Sequence, residues 1–217
     1  MAKTAIVIGA TGLVGAELVR QLLDSPHYSR VITLTRRALP LEHPKLLQEL
    51  FDFDHPDATK IQGDDLFCAM GTTLARAGSK AAQYKIDCTY PYEVGKIARS
   101  NGAQRYLLVS SIGANAQSGN FYLRTKGDLE EKIAGLGFDA FVSARPSFLL
   151  GDRQEFRLGE KVGIVLTQAF RFLVPKKYRG IQAAQVAAAL IAWANRDFSG
   201  IEYLESDALQ DYQADVR

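Results

Sequence analysis

Short runs of β-branched and apolar residues punctuate the first two thirds of the chain: Ala5-Ile6-Val7-Ile8, Val31-Ile32-Thr33-Leu34, Leu66-Phe67-Cys68-Ala69, Tyr106-Leu107-Leu108-Val109 and Ala140-Phe141-Val142. Runs that do not alternate with polar residues predict strands covered on both faces. Segments of helical spacing lie between several of them. Leu18, Val19, Leu22 and Leu23 follow the first run, and Val94, Ile97 and Ala98 precede the fourth. This alternation predicts an α/β protein with a parallel sheet. Right-handed crossovers put helices on both faces, so the sheet is doubly wound and its ligand crevice lies at the carboxyl ends of the strands. Beyond Pro146 the pattern is less regular. It holds helical spacing over Glu160 to Leu173 and Ala183 to Asn195, separated by the basic loop Pro175-Lys176-Lys177-Tyr178-Arg179-Gly180. No linker divides the chain, so residues 1–217 are expected to form a single domain, with 146–217 as a small C-terminal lobe on the substrate side of the crevice.

Composition narrows the partners. With 217 residues and 47% hydrophobic content, the chain can bury one sizeable core. Lysine and arginine number 26 against 24 acidic residues, so a net charge of +2 gives no reason to expect nucleic acid or an anionic membrane surface. Cys68 and Cys88 are too few for a disulfide framework and lack zinc-site spacing, and His27, His43 and His55 are scattered, so no metal site is expected. The N-terminal apolar run breaks at Gly9, too soon for a secretory signal, and the run Val186 to Ala194 falls well short of the roughly 20 residues of a membrane span. The expectation is a soluble, cytoplasmic protein acting on a small molecule, with a protein partner left open.

Directly after the first strand stands Gly9-Ala10-Thr11-Gly12-Leu13-Val14-Gly15, running straight into the first amphipathic helix. Glycines permit a tight turn, a close backbone approach to a pyrophosphate and close strand–helix packing, while the helix N-terminus presents free N–H groups to the anion. The spacing is G-x-x-G-x-x-G and no Gly-Lys-Ser/Thr follows, which disfavours a P-loop nucleotide hydrolase and favours a dinucleotide in a Rossmann-type domain. At the end of the second strand an acid would bind the ribose hydroxyls of NAD. Here the chain reads Thr35-Arg36-Arg37, and two guanidinium groups suit the 2′-phosphate of NADP(H). The bland alternative is a solvated surface pair.

The fourth run ends in Ser110-Ser111-Ile112-Gly113, and Tyr122-Leu123-Arg124-Thr125-Lys126 opens the next helical pattern. Tyrosine and lysine four apart share a helix face. A phenol ordinarily titrates near 10, and a neighbouring ammonium favours its ionised form, which suits it to acid–base work. Ser111, just past a strand end, is placed to donate to a substrate oxygen, and Ser110 is its alternative. Cys68 is expected to be a buried core residue. Asp52 and Asp54, after a strand, are read either as adenine contacts or as polar loop residues, and Tyr90, Tyr92 and Phe121 as packing groups.

Gly9-Ala10-Thr11-Gly12, Cys68-Ala69-Met70-Gly71-Thr72-Thr73, Ser110-Ser111, Tyr122 to Lys126 and Arg145-Pro146-Ser147-Phe148-Leu149-Leu150-Gly151-Asp152-Arg153 together resemble an atypical short-chain dehydrogenase. More narrowly, the chain is similar to the HIV Tat-interactive-protein group, whose members bind NADPH. The similarity runs from the first strand through Arg179-Gly180-Ile181. It implies an oxidoreductase in which Tyr122 donates or accepts the proton, Lys126 holds the nicotinamide ribose and lowers the tyrosine pKa, and Ser111 orients the carbonyl. It also implies that Met70 and Gly71 line the cofactor, and that Arg145 and Arg153 reach the cofactor or close a lid. The asparagine that usually completes the tetrad has no counterpart in Asp87-Cys88-Thr89-Tyr90. Two rival expectations follow. One is an NADP(H)-responsive regulatory module with little turnover, supported by the basic loop and the missing asparagine. The other is an isomerase or epimerase using the cofactor without net redox change. The substrate-side residues Phe148, Val162, Leu166, Phe170 and Phe172 are apolar and name no substrate.

Overall fold

The structure is a computed structural model and describes residues 2–150 and 175–213. The first strand, β1 (Lys3–Ile8), leads through the glycine turn into α1 (Leu13–Asp24) and back to β2 (Tyr28–Thr35) and β3 (Leu46–Leu50). Crossing to the other side of β1, the chain forms β4 (Asp65–Cys68), two short helices α2 (Leu74–Ala77) and α3 (Lys80–Tyr84), a π-type turn (Lys85–Thr89) and α4 (Tyr90–Ser100). Then come β5 (Arg105–Val109), α5 (Phe121–Ala134), β6 (Ala140–Arg145) and β7 (Leu149–Leu150). After residue 174 the chain adds β8 (Ile181–Gln182), α6 (Ala183–Ala194), β9 (Gly200–Glu205) and α7 (Ser206–Leu209). Seven strands form one sheet in the order β3-β2-β1-β4-β5-β6-β9, every neighbouring pair parallel, while β7 and β8 pair separately. This is the expected doubly wound sheet, with its order reversing at β1.

Alternate residues of each central strand face opposite layers, because side chains on a strand have a period of two. Ala5, Val7, Phe67, Leu107, Val109 and Val142 pack with α1 and α6 on one face. Ile6, Ile8, Leu66, Cys68, Tyr106 and Phe141 pack with α4 and α5 on the other. The five runs read from the sequence are therefore the strands apolar in both parities. Two strands of the main sheet lie outside these runs: β3 and β9 flank the sheet, and their polar-interrupted sequences LLQEL and GIEYLE leave Leu47, Leu50, Ile201 and Tyr203 exposed. An edge strand covered on one side needs no continuous apolar run.

The helix expected over 183–195 forms as α6, and its alanines allow it to lie close on α1. Its last carbonyl, at Ala194, accepts from Lys3 Nζ at 2.7 Å and Arg105 Nη1 at 2.5 Å, two cations placed where the helix dipole is negative. Residues 175–213 thus build one edge and part of one face of the main sheet. The centre of the expected C-terminal lobe, including the helical pattern over 160–173, lies outside the described residues.

Candidate cofactor and catalytic site

The turn after β1 cannot be built from other residues. Gly9 has φ +81°, and a Cβ there would stand 2.4 Å from the Ala69 carbonyl carbon. A Cβ on Gly15 would stand 2.0 Å from the Gly9 carbonyl oxygen. The Gly12 amide closes the turn on the Gly9 carbonyl at 3.0 Å, and Gly12 begins α1 without a side-chain cap or an acid in the first turn. Among the described residues no side chain satisfies the amides of Leu13, Val14 and Gly15, the condition under which a helix start attracts an anion. Thr11 is exposed on the rim. A cleft of about 450 Å³ opens beside the turn, between Thr11, Gly12, Leu13 and Ala16 on one side and Leu150 and Gln182 on the other.

At the end of β2, the Thr35 hydroxyl donates to the Arg37 carbonyl at 2.8 Å and shapes the exit of the strand. Arg36 and Arg37 are exposed there, and neither side chain forms an ion pair among the described residues. Asp54 is already engaged: Lys85 Nζ lies 2.5 Å from it and the Tyr90 hydroxyl donates to it at 2.8 Å. Asp52 likewise pairs with His55 at 3.0 Å. Tyr90 packs as expected, its ring 5.6 Å from that of Phe53.

The second half of the site sits at the ends of β4 and β5. Met70 is half-buried and Gly71 exposed just beyond β4. The Asn120 side chain accepts from the Tyr122 and Leu123 amides at 2.9 and 3.2 Å and so fixes the start of α5. A Cβ on Gly127 would stand 2.1 Å from the Ala116 amide, so glycine lets α5 press against the loop leaving β5. These two residues, which the sequence reading passed over, set where the next turn of α5 points. Tyr122 is 38% exposed at the mouth and Lys126 is 4% exposed one turn deeper. Burial alone pulls the Lys126 ammonium down, but Tyr122, Asp87, Cys68 and Glu130 face it and together hold its pKa above the ordinary lysine value. Lys126 Nζ reaches the Val109 carbonyl at 3.5 Å. Of the two serines, Ser110 is buried with no partner for its hydroxyl among the described residues, whereas the half-buried Ser111 donates to the Ile112 carbonyl at 3.3 Å. Cys68 is fully buried, and burial pushes its thiol up.

Residues 5–128 match the NAD dependent epimerase/dehydratase family. That span is more than half of the sequence and holds the glycine turn, the arginine pair, Ser111, Tyr122 and Lys126. The chain belongs to this family. It is 33% identical to Protein HTATIP2 of Rattus norvegicus, over 95% of this chain and 88% of that one. It is 40% identical to "Protein FMP52, mitochondrial" of Candida albicans, over 69% of this chain and 68% of that one. The fold matches MoeE5 in complex with UDP-glucose and NAD at a TM-score of 0.72 and 15% identity, covering 93% of this chain and 76% of the other. WbmH of Bordetella bronchiseptica, solved with NAD+, matches at 0.72 and 15%, covering 95% and 76%. The family and the atypical dehydrogenase resemblance stand together. The cytoplasmic expectation does not: the FMP52 relatives of Candida albicans, Candida glabrata and Emericella nidulans are named mitochondrial. Its basis was the lack of a secretory signal, which says nothing about organelles. No helix among the described residues is long and apolar enough to cross a membrane.

Within this family member, Arg145 is engaged away from the crevice pair. Arg145 makes a two-pronged pair with the buried Glu130 at 3.0 and 2.7 Å, reaches Glu205 at 3.2 Å and stacks over Tyr203. Its guanidinium ties α5, β6 and β9 together. Arg153 lies outside the described residues, as do Val162, Leu166, Phe170 and Phe172. In the basic loop, Lys176 pairs with Asp211 at 2.5 Å and Lys177 with Glu205 at 3.3 Å.

The residue that the sequence reading left without a role is Asp87. It is fully buried in the π-type turn before α4, where Oδ1 accepts from the Thr72 amide at 2.6 Å. Its other oxygen has no partner among the described residues. Burial raises its pKa, and Lys126 opposes that rise. Its sequence signals were a lone acid between the apolar Ile86 and Cys88 and its place in the segment where the tetrad asparagine was sought.

Proposed function

We propose that this protein is an NADP(H)-dependent oxidoreductase that interconverts a small carbonyl compound and its alcohol. What carries the reading is the placement of Tyr122 above a buried, charged Lys126, on a helix that starts at the strand-end crevice holding the uncapped glycine turn. The Gly9 to Gly15 turn would receive the pyrophosphate through its backbone amides, and Arg36 with Arg37 would receive the 2′-phosphate at the far end. Met70 and Gly71 would line the nicotinamide side. The bound nicotinamide supplies the hydride.

The chain's own groups do the rest. In the reducing direction Tyr122 gives its phenolic proton to the carbonyl oxygen as negative charge develops there. Lys126, kept as an ammonium, favours the phenolate left behind and presents N–H donors to the ribose. Ser111, or Ser110 with its unengaged hydroxyl, donates a hydrogen bond to the same oxygen and stabilises it. Alternative chemistry without net redox remains a second reading, because the neighbouring folds include a UDP-galactose 4-epimerase. The regulatory-module reading loses part of its support, since Lys176 and Lys177 are paired within the protein.

The test follows nicotinamide absorbance across a panel of aldehydes and ketones. On any substrate the parent reduces, Tyr122→Phe is expected to lower turnover by roughly 100-fold or more while NADPH affinity changes little. Wild-type turnover in Tyr122→Phe would overturn the assignment. Tight NADPH binding without NADPH consumption on any substrate would favour the module, and product formed at constant absorbance would favour the epimerase.

A further inference from the structure

Among the described residues, Asp87 combines complete burial with a carboxylate oxygen that no donor reaches. A buried carboxylate is costly unless a cation or donor compensates it, and leaving one oxygen unused adds to that cost. The charged compensation is Lys126, and the Thr72 amide and the Gln83 side chain are the polar groups that also favour the ionised form. Both groups converge on the same point over Gly71: a Cβ at Gly71 would stand 3.6 Å from Lys126 Nζ and 3.8 Å from Asp87 Oδ1. They make no direct ion pair, so the space above Gly71 separates a carboxylate from an ammonium. Among the described residues, Lys126 in turn has three donors and a single long hydrogen bond, at 3.5 Å to the Val109 carbonyl.

The local backbone is built to hold this arrangement. Residues 85–89 form a π-type turn between α3 and α4. Such turns add a residue to the helical repeat and re-aim the side chains within them. Asp87 is anchored from the facing loop by the Thr72 amide, next to Gly71, and Gln83 in α3 holds the Thr72 carbonyl at 3.4 Å. The loop leaving β4 and the π-type turn are therefore locked together with the carboxylate between them.

We propose that Asp87 is a positioning residue: it is the buried counter-ion that fixes the charge and placement of Lys126 from the Gly71 side, and it acts on the reaction only through that lysine. The groups facing Lys126 are Tyr122 and Glu130 on α5, Asp87 on the π-type turn and Cys68 at the end of β4. Of these, Glu130 is already neutralised by Arg145, and the Cys68 thiol is pushed up by burial. Asp87 is the acid without a cation of its own. Lys126 as a functional group rests on the oxidoreductase reading, whereas the charge pairing is a property of the protein without cofactor and is tested separately.

The first measurement is a thermal double-mutant cycle on cofactor-free protein. Lys126→Met strands the carboxylate and is expected to lower the midpoint, and adding Asp87→Asn, which keeps the acceptor for the Thr72 amide, is expected to raise it again. In the parent background Asp87→Asn is expected to be neutral or destabilising. The two variants acting independently would overturn the proposal. The second measurement labels lysine side chains with 13C and assigns Lys126 by Lys126→Arg. Its ionisation is expected to fall by about one pH unit or more in Asp87→Asn. An unchanged titration, or an Asp87→Asn protein that does not fold, would overturn the proposal too. NADPH affinity provides the functional readout: in Asp87→Asn it should weaken about twofold between pH 7 and pH 9.5, and stay flat over that range in the parent. Absence of turnover on every substrate would sink the oxidoreductase reading while leaving the cycle and the titration to decide this one.

Discussion

Arg36 stands exposed at the tip of β2 with its guanidinium engaged by no acid among the described residues, in the place where the family's fold carries the adenosine ribose. A charge-assisted contact with a phosphate dianion is worth more than one with a hydroxyl. Arg36→Ala is therefore expected to weaken NADPH binding roughly tenfold and NADH binding by less than about twofold, measured by fluorescence titration of both cofactors. Equal losses for the two would show that Arg36 does not read the 2′-phosphate. Tyr122, Lys126, Ser111 and the glycines were legible in the sequence because each belongs to a short local pattern. Asp87, Asn120 and Gly127 were not. Asp87 comes near Lys126 only because the π-type turn packs against α5, and Gly127 is demanded by a loop eleven residues earlier, at Ala116.

At the scale of elements, α5 does two jobs. Its mouth-facing side carries Tyr122, and its buried side carries Glu130, which accepts from Ser143 at 2.7 Å and from Arg145. Arg145 then reaches across to Glu205 on β9 and holds the last strand in register beside β6. Replacing Arg145 by Met leaves Glu130 buried without its cation, which costs about 3 kcal/mol. Arg145→Met is expected to move the urea midpoint down accordingly, and Glu130→Gln added to it should recover part of the loss. A midpoint unchanged by Arg145→Met would mean that β9 is held by its backbone pairing alone. The family resemblance implied that Arg145 reaches the cofactor or closes a lid. The sequence reading did not foresee Glu205, sixty residues on, since β9 itself was unread.

Across the whole molecule, polarity is divided between the two ends of the sheet. The carboxyl ends of the strands hold the crevice. The opposite end holds Asp65, buried and bound by Lys3 Nζ at 2.5 Å and the Tyr28 hydroxyl at 2.6 Å. Burial raises the Asp65 pKa despite these partners. A carboxyl whose folded pKa lies above its unfolded value near 3.9 contributes stability that is complete below that value, and this contribution is lost as pH rises through the folded pKa. The stability of the parent relative to Asp65→Asn should therefore decline as pH rises from about 4 towards neutrality, read as the difference in melting temperature. A difference that grows over this range would show that the ion pair with Lys3 outweighs desolvation.

What the amino-acid sequence settled by itself was the part of this protein governed by near neighbours along the chain. Strand and helix alternation, the glycine turn, the arginine pair and the Tyr-x-x-x-Lys face all depend on spacings of a few residues, where steric limits and helical or strand periodicity act directly. Tertiary structure decided the rest. It placed β9 at the sheet edge, drew Arg145 and the basic loop into internal ion pairs, and set Asp87 opposite Lys126. Those outcomes depend on which charges must be compensated once water is excluded, and that is determined only when distant segments are packed together.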